Sequence, residues 1–480
     1  MKNIQNNILA ALLVTLLIGA CTKDFDETNA NPNAPEQVPG TTLLLSGITT
    51  GIFTANSYYE FHAGGLLPTA SPLWCQHYTM TGYNNVDKYA VTPFDFVVEW
   101  PGVYSGALQD LQALIADPKN GDNLRAAAMV MRAFLFSVQA DLYGDIPYFS
   151  ALDVANTVQP EYNSQESIYK DLTAQLAQAA GLFDLNGDAL GSGDVLYGGD
   201  VLKWKKLANT LRARLLNRYK HLDATAAQRL QTLLNDPAGF PVFESNADNA
   251  ALVPTGEQPY VSPVYQLLTV SANNAIPVYA SSATMIDILK SLNDPRLPVY
   301  AEPTTLGDFI GRENGSTLPL STDSVSFIGK YFTANPQLPI PVLNYAELLF
   351  IKAEALNDRQ AYLDGIAAAM SPFNLVPDDT YLDAAKSAWN ANPLEAIIKQ
   401  KWIALFLNGN EAYTEFRRTG YPSEIHEALN SVHPGLGVPH RYAYPPIEET
   451  TNGDNLQAAK GRQHIVGGLE MYGDKMWWAK

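Results

Sequence analysis

Apolar side chains recur at helical spacing over most of this chain, and the clearest pattern covers residues 122–143. One apolar face steps by three and four residues through Leu124, Ala128, Met131, Leu135, Val138 and Leu142. This spacing predicts an amphipathic helix, which Gly144 and Pro147 would terminate. Because Val130 and Phe134 widen the apolar face, we expect the helix to pack on two sides.

The same periodicity returns further along the chain. It predicts helices over 164–183, 202–219, 343–356, 379–389 and 393–407. Successive helices with short links favour an α-solenoid or a helical bundle. Trp204, Leu207, Ala208 and Leu211 match the start of a tetratricopeptide unit with two substitutions, but no clear repeat follows at its period of about 34 residues. The pattern therefore favours a degenerate array of helix pairs over a regular one.

Two regions, 58–104 and 239–341, interrupt the helical pattern with many Pro, Gly, Ser, Thr and Asn residues. Loops of this length inside a domain are either disordered or functional. Apolar residues recur in the second region, among them Val264, Leu267 and Ile286, which favours a folded segment. The C-terminal segment 434–480 is similarly irregular, aromatic and expected to be folded.

The N-terminus resembles a secretory signal, with Lys2 before an apolar run over 8–18 and Gly19-Ala20-Cys21 after it. The run is too short to cross a bilayer as a helix. The ending is similar to that of bacterial lipoproteins, in which the cysteine is acylated, although Ile18 stands where Leu is usual. An ordinary signal peptide with an incidental cysteine is the alternative. Acylation of Cys21 would anchor the protein without spanning the membrane.

The formal charge of −18 argues against a nucleic-acid partner and against a polybasic membrane contact. Tyrosine is abundant, with 25 Tyr beside 18 Phe and 7 Trp. Tyrosine suits half-wet ligand sites and interfaces, although most of these rings are expected to pack between helices. With Cys21 lipidated, Cys75 would remain as a single thiol and no intramolecular disulfide could form.

Catalytic and metal-binding signals are weak. No nucleophile elbow, P-loop, H-E-x-x-H or dinucleotide motif is present. Cys75 lies close to His77, but neighbouring residues point apart, so a buried structural cysteine is the preferred interpretation. We therefore predict no catalytic residue, no cofactor and no metal ligand.

Two spacings deserve a separate explanation. His426, His433 and His440 recur every seven residues, but the Pro and Gly residues between them forbid one helix, so we interpret the spacing as coincidence. The segment 184–195 partly resembles a calcium loop, although Ala189 and Val195 replace its glycine and its bidentate glutamate. A solvated turn is the preferred interpretation.

Polar and aromatic residues of the two irregular regions are the candidates for ligand binding. They are Trp74, Gln76, His77, Tyr83, Tyr265 and Tyr279. Sugar rings pack a C–H face on aromatic planes, while amides and imidazoles bond to hydroxyl groups. A peptide would use the same residues differently, and any single ring could instead pack in the core. Trp74 is the leading candidate, with core packing as its alternative role.

Several segments together resemble one family. They are 131–134 (MRAF), 141–148 (DLYGDIPY), 197–200 (YGGD), 204–212 (WKKLANTLR), 293–297 (NDPRL), 345–355, 400–422 and 475–478 (KMWW). With the lipoprotein-like N-terminus, they are similar to the SusD/RagB-type outer-membrane lipoproteins. The resemblance covers nearly the whole mature chain. It implies a signal peptide over 1–20, a lipidated linker over 21–40 and one α-rich domain over 41–480.

The resemblance also implies a fold and a role. The fold would be mainly α, with a tetratricopeptide-like helix-pair scaffold and a loop-rich half that carries the ligand site. Ligand contacts would come from loops within 74–100 and 260–331. The protein would face the cell exterior, capture oligosaccharide or, as the alternative, peptide, and deliver it to a SusC-like TonB-dependent barrel. A surface hydrolase and a purely structural lid are alternatives from other classes.

Overall fold

The computed structural model of the chain describes residues 38–55, 61–62, 65–66, 70–82, 84–91, 99–257, 261–262, 265–266, 277–321, 323–406 and 408–479. The predicted signal peptide and Cys21 lie outside these residues. The domain boundaries given above therefore stay predictions.

Helices dominate the described chain. They are α1 (Gly40–Ala55), α2 (Ala70–Trp74), α3 (Glu99–Pro101), α4 (Gln109–Ala116), α5 (Asp122–Tyr143), α6 (Gln165–Leu182), α7 (Val201–Tyr219), α8 (Ala224–Asn235), α9 (Ala283–Ser291), α10 (Leu297–Tyr300), α11 (Lys330–Thr333), α12 (Tyr345–Leu356), α13 (Arg359–Met370), α14 (Asp379–Ala391), α15 (Pro393–Ala404), α16 (Gly409–Thr419), α17 (Pro446–Thr451) and α18 (Gly453–Arg462). A π-helical segment, Gly102–Leu108, joins α3 to α4.

The strands are short and form four antiparallel pairs. They are β1 (Phe61–His62) with β2 (Gly65–Leu66), β3 (Tyr78–Met80) with β7 (Tyr279–Ser281), β4 (Ile146–Pro147) with β5 (Tyr162–Asn163), and β6 (Ala250–Leu252) with β8 (Ile340–Leu343). The β3–β7 and β6–β8 pairs join segments that are far apart in the chain. The first pair joins the two irregular regions to each other, and the second joins the two ends of the region 239–341.

Pairwise helix packing builds the helical scaffold. Helix α5 packs on α4 and α6, α6 packs on α7, and α12 packs on α13 and α15. Leu135 of α5 and Leu211 of α7 are both completely buried, as their apolar stripes predicted. The mainly α, tetratricopeptide-like helix-pair architecture with a loop-rich half is confirmed.

Local sequence explains where several helices begin. The Ser164 hydroxyl accepts the N–H of Ser167 at the start of α6, and the Asn392 amide accepts the N–H of Glu395 at the start of α15. Asn344 caps α12 in the same way, which places the start of that helix two residues after the predicted one. Such caps satisfy N–H groups that the first turn leaves unpaired.

A buried ionic network lies where α5, α7, α12, α15 and α16 meet. Arg214 binds Glu347 through two nitrogens, each 2.6 Å from a carboxylate oxygen. Arg218 Nη2 lies 2.8 Å from Glu411, and Lys401 lies 3.4–3.6 Å from Glu347, Glu411 and Glu415. These side chains are almost inaccessible to solvent.

The network continues outward through Arg418 and Lys220. Arg418 bridges Glu354 and Glu415, with Nη2 2.7 Å from an oxygen of each. Lys220 lies 3.0 Å from Glu354. Burial alone would raise the pKa of Glu354, but the neighbouring Arg418 and Lys220 hold that pKa down at about 2. Pairing with cations therefore lowers the pKa of Glu354, and it does the same for Glu411 and Glu415, against the effect of burial.

Candidate functional site

The end of helix α2 and the turn between α2 and β3 carry three of the residues predicted to bind ligand, and all three are buried. Trp74 and Gln76 are each 1% exposed and His77 is completely buried. Trp74 Nε1 donates to the carbonyl oxygen of Val86 at 3.0 Å. Its ring makes edge contacts with Tyr89, Tyr413 and Tyr442 at centroid distances of 5.4–6.0 Å.

Gln76 and His77 tie this segment to distant parts of the chain. Gln76 Nε2 donates to the carbonyl oxygen of His426 at 2.7 Å, and Gln76 Oε1 accepts from Thr284 Oγ1 at 2.6 Å. His77 Nε2 lies 3.0 Å from the carbonyl oxygen of Trp402, whose own Nε1 donates to the carbonyl oxygen of Cys75. Burial lowers the pKa of His77 to about 3, so the ring is neutral.

A buried carboxyl completes the arrangement. Asp87 accepts from the N–H of Met80 at 2.7 Å, from Thr79 Oγ1 at 3.1 Å and from Asn314 Nδ2 at 2.8 Å. Burial outweighs these bonds and raises the pKa of Asp87 to about 7. Asn314 Nδ2 also donates to the carbonyl oxygens of Leu73 and Tyr78. We call residues 71–80 with Asp87 and Asn314 the hub.

The remaining predicted ligand residues are distributed differently. Tyr279 lies in β7 opposite Met80, is 2% exposed and packs against Tyr78 with ring centroids 5.6 Å apart. Tyr265 is half-buried in a short described segment, and Tyr83 lies outside the described residues. A ligand role for Trp74, Gln76, His77 and Tyr279 stays a prediction that this geometry disfavours, because the protein itself encloses all four side chains.

An open groove of about 200 Å³ lies elsewhere in the loop-rich half, between the β6–β8 pair, α11 and the end of α13. Its aromatic wall includes Tyr331, which is 40% exposed, and the half-buried Phe373. The two rings meet edge to face, with centroids 4.9 Å apart. Phe332, almost completely buried, supports Tyr331 from below at 5.1 Å. The exposed ring is therefore held in place by a buried aromatic cluster.

Four asparagines line the same groove, and each is anchored at one end of its amide. Asn249 Oδ1 accepts the N–H of Tyr345 at 2.7 Å, and Asn246 Nδ2 donates to the carbonyl oxygen of Ala368 at 3.0 Å. Asn344 and Asn408 use their Oδ1 atoms to cap α12 and α16. The other end of each amide keeps capacity for a further hydrogen bond.

The Tyr331 ring and the four asparagine amides together indicate which kind of ligand the groove can bind. A positioned aromatic face beside anchored amides suits a ligand that has both a flat C–H surface and hydroxyl or amide groups. The lining residues carry no formal charge, so the groove favours a neutral ligand. Tyr331 falls within the loop region that the family resemblance indicated, but the sequence gives no signal that singles out this ring. The four asparagines come from three separate segments, 246–249, 344 and 408, and could not be grouped without the fold.

The weaker sequence signals have structural explanations. Cys75 is buried, which raises the pKa of its thiol well above the usual range. The segment 184–188 binds Asn123, whose Nδ2 donates to the carbonyl oxygens of Asp184 and Asp188. In the described part of the chain, no group of three or more His, Cys, Asp or Glu residues is arranged to hold a metal ion. Among the same residues, no helix combines the length and apolar character that a membrane span requires.

Comparisons with known proteins give a consistent result. A SusD-like family model, described as "Starch-binding associating with outer membrane", matches residues 32–445. No curated protein matches the chain significantly. Among solved structures, one described as a chitin-binding protein has 25% identity and a TM-score of 0.74, covering 92% of this chain and 98% of its own.

Two further structures share the fold. A chitin-binding SusD homologue from Flavobacterium johnsoniae has 21% identity and a TM-score of 0.76, over 91% of this chain and 98% of its own. A SusD homologue from Bacteroides uniformis has 22% identity and a TM-score of 0.76, over 92% of this chain and 98% of its own.

Proposed function

The chain belongs to the SusD-like family, and we propose that it binds glycans at the cell surface. The family description names starch binding and the outer membrane, and two structures with the same fold are described as chitin-binding. A binding role also agrees with the absence of a recognisable catalytic motif in the sequence. We propose a binding protein and not an enzyme.

We propose the Tyr331 groove as a glycan contact surface. The observation that carries this assignment is the exposed Tyr331 ring, supported by Phe332 and Phe373 beside four anchored asparagines. A sugar ring stacked on Tyr331 could bond to the uncommitted ends of Asn246, Asn249 and Asn344. Supported rings lose little side-chain freedom on binding, which favours affinity.

Isothermal titration of the mature protein with chitin and starch oligosaccharides tests this proposal. Tyr331→Ala should weaken binding about tenfold, since stacking adds about 0.5–1.5 kcal/mol to the burial that is lost. Phe149→Ala is the matched control, because Phe149 is 60% exposed and does not line the groove. Equal affinity for Tyr331→Ala and the wild type would remove the groove from the glycan site.

The same titrations separate the alternative functions. Capture of peptides with no affinity for any glycan would favour the peptide-binding alternative. Release of shortened products from a polymer would indicate a hydrolase, whereas retention without product supports a binding protein. Failure to retain any ligand would leave only the structural lid.

We further propose that acylated Cys21 anchors the protein to the outer membrane, facing outward, and that a SusC-like TonB-dependent barrel receives the ligand. The sequence ending Gly19-Ala20-Cys21 supports the anchor, and family membership supports the partner. Cys21→Ser should release the protein from the membrane fraction. Co-purification of the wild type with a barrel protein from the same cells tests the partnership, and an unchanged membrane fraction for Cys21→Ser would exclude the anchor.

A further inference from the structure

A second cavity, of about 220 Å³, lies between the end of α16 and the C-terminal segment. Its lining combines apolar side chains with three basic ones. The basic residues are Arg417, His440 and Lys475, and no side-chain carboxylate of the described residues lines the cavity. For comparison, one water occupies roughly 30 Å³ in the liquid, so the cavity can hold a small organic molecule. In a chain with a net charge of −18, such a concentration of basic groups calls for an explanation.

Arg417 is held by hydrogen bonds and a ring contact, and Asp141 acts on its charge only from beyond ion-pair distance. Its Nη1 donates to the carbonyl oxygen of His440 at 2.9 Å and its Nη2 to Thr414 Oγ1 at 3.0 Å. The guanidinium stacks over the ring of Tyr413 at 3.9 Å. Within the described chain, no carboxylate lies within ion-pair distance of Arg417. This differs from Arg418, the next residue, which binds two glutamates.

Lys475 adds to the positive potential of Arg417, whereas His440 contributes a neutral ring to the cavity wall. Lys475 is exposed and, among the described residues, has no ion-pair partner. His440 Nδ1 bonds to the carbonyl oxygen of Gly473 at 2.8 Å, which leaves Nε2 uncommitted. Burial lowers the pKa of His440, and the nearby charges of Arg441, Lys475 and Arg417 lower it further. Arg417 and Lys475 line the same cavity as His440 and supply its positive charge.

Acidic residues on the flanking segments are already engaged. Glu427 accepts the N–H groups of Gly435 and Gly437 at 2.8–3.0 Å. Asp474 lies 2.9 Å from His464 Nδ1. The apolar part of the cavity comes from Phe416, Leu436, Val438, Met476 and Ala479. A ligand with one anionic group and an apolar face would complement both parts of the lining.

We propose that this cavity binds the oxyanion group of a small ligand, either a carboxylate on an organic body or a free inorganic oxyanion. Arg417 would hold the oxyanion from a preorganised position, and Lys475 would close over it from the exposed side. This site is separate from the Tyr331 groove and does not depend on the proposed glycan function.

Calorimetric titration of the mature protein at constant ionic strength tests the proposal, with sodium glucuronate, sulfate and phosphate as probes and glucose as the uncharged analogue. Glucuronate should bind and glucose should not compete with it. Lys475→Gln should weaken glucuronate binding at least about tenfold, because a charge-assisted hydrogen bond is lost. Lys386→Gln is the matched control, since Lys386 is a surface residue of α14 outside the cavity and loses the same charge.

The inorganic probes distinguish the two sources of oxyanion. Binding of sulfate and phosphate that Lys475→Gln weakens would support a general oxyanion site, and binding of glucuronate alone would support an organic carboxylate. Arg417→Gln serves as a second variant if it folds, with the same expected loss. Absence of binding for all three anions, or an equal loss in Lys386→Gln, would overturn the proposal.

Discussion

The scaffold and the hub are both buried and polar, but they satisfy their polar groups in opposite ways. In the scaffold, charged side chains pair with one another, as Arg214 does with Glu347 and Arg418 with Glu354. In the hub, neutral side chains bond mostly to backbone carbonyl oxygens, as Trp74 does with Val86. The helices are therefore held together by ion pairs between side chains. The irregular segments are held by side chains that donate to backbone carbonyl oxygens, which would otherwise be buried without a partner.

The largest effect is expected from breaking the scaffold network. Glu347→Gln keeps the side-chain shape but leaves Arg214 and Lys401 with less negative charge in a buried site. Removing one partner of a buried pair costs about 3–5 kcal/mol. Chemical denaturation should show this loss in the free energy of unfolding.

An exposed ion pair supplies the control. Asp383 and Lys386 of α14 lie 2.8 Å apart with side chains 74% and 42% exposed. Asp383→Asn should change stability by less than about 1 kcal/mol. Comparable losses in Glu347→Gln and Asp383→Asn would contradict a special role for the buried network.

A loss of folding stability of similar size is expected when a buried ring of the hub is removed. Trp74→Ala removes a buried ring and its bond to Val86, which should cost about 3–5 kcal/mol and lower the melting temperature. Phe149→Ala removes a ring that is 60% exposed and should leave the melting temperature nearly unchanged. A Trp74→Ala protein with wild-type melting temperature and reduced glycan affinity would restore Trp74 as a ligand residue.

Two buried groups of the hub, His77 and Asp87, should make the folding stability depend on pH in opposite directions. His77 has a folded-state pKa lowered from 6.5 to about 3, so its contribution to stability is complete above pH 6.5 and falls as the pH drops towards 3. Asp87 has a folded-state pKa raised from 3.8 to about 7, so its contribution is complete below pH 3.8 and is lost as the pH rises through 7. Between pH 3.8 and 6.5, a rise in pH increases the unfolding free energy through His77 and decreases it through Asp87.

Single variants separate the two groups. Asp87→Asn should make stability fall more steeply on acidification below pH 6.5, and His77→Gln should make it fall more steeply as the pH rises towards 7. The slope of the unfolding free energy against pH reports the number of protons exchanged on unfolding, and each variant should change that number by close to one. Identical slopes in the two variants and the wild type would show that neither group titrates as its burial requires.

The helices were predictable because their information is local. The segment 122–143 was predicted as a helix and α5 has the same bounds, since its apolar stripe and Gly144 define both face and end. The start of α12 was missed by two residues because β8 continues the apolar pattern up to Leu343. The family resemblance then supplied the pairing of the helices, which periodicity alone cannot give.

The candidate site was not predictable at the level of residues. Trp74 lies in a turn-rich stretch that suggests exposure, but Trp402 and Tyr442, more than three hundred positions away, enclose that stretch. Conversely, Tyr331 is exposed although its neighbour Phe332 is buried. Which ring of a pair faces solvent depends on long-range packing that a single sequence does not encode locally.

The bonds of the hub have a consequence for sequence variation. Asn314 donates to the carbonyl oxygens of Leu73 and Tyr78, Gln76 to that of His426, and Trp402 to that of Cys75. Every residue type offers the same carbonyl, so these attachments place no demand on the side chains of the residues they hold. The loops that extend from the hub can accumulate substitutions while their anchoring points stay in place. Substitutions in the loops could therefore change the binding surface without requiring changes in the helices that hold it.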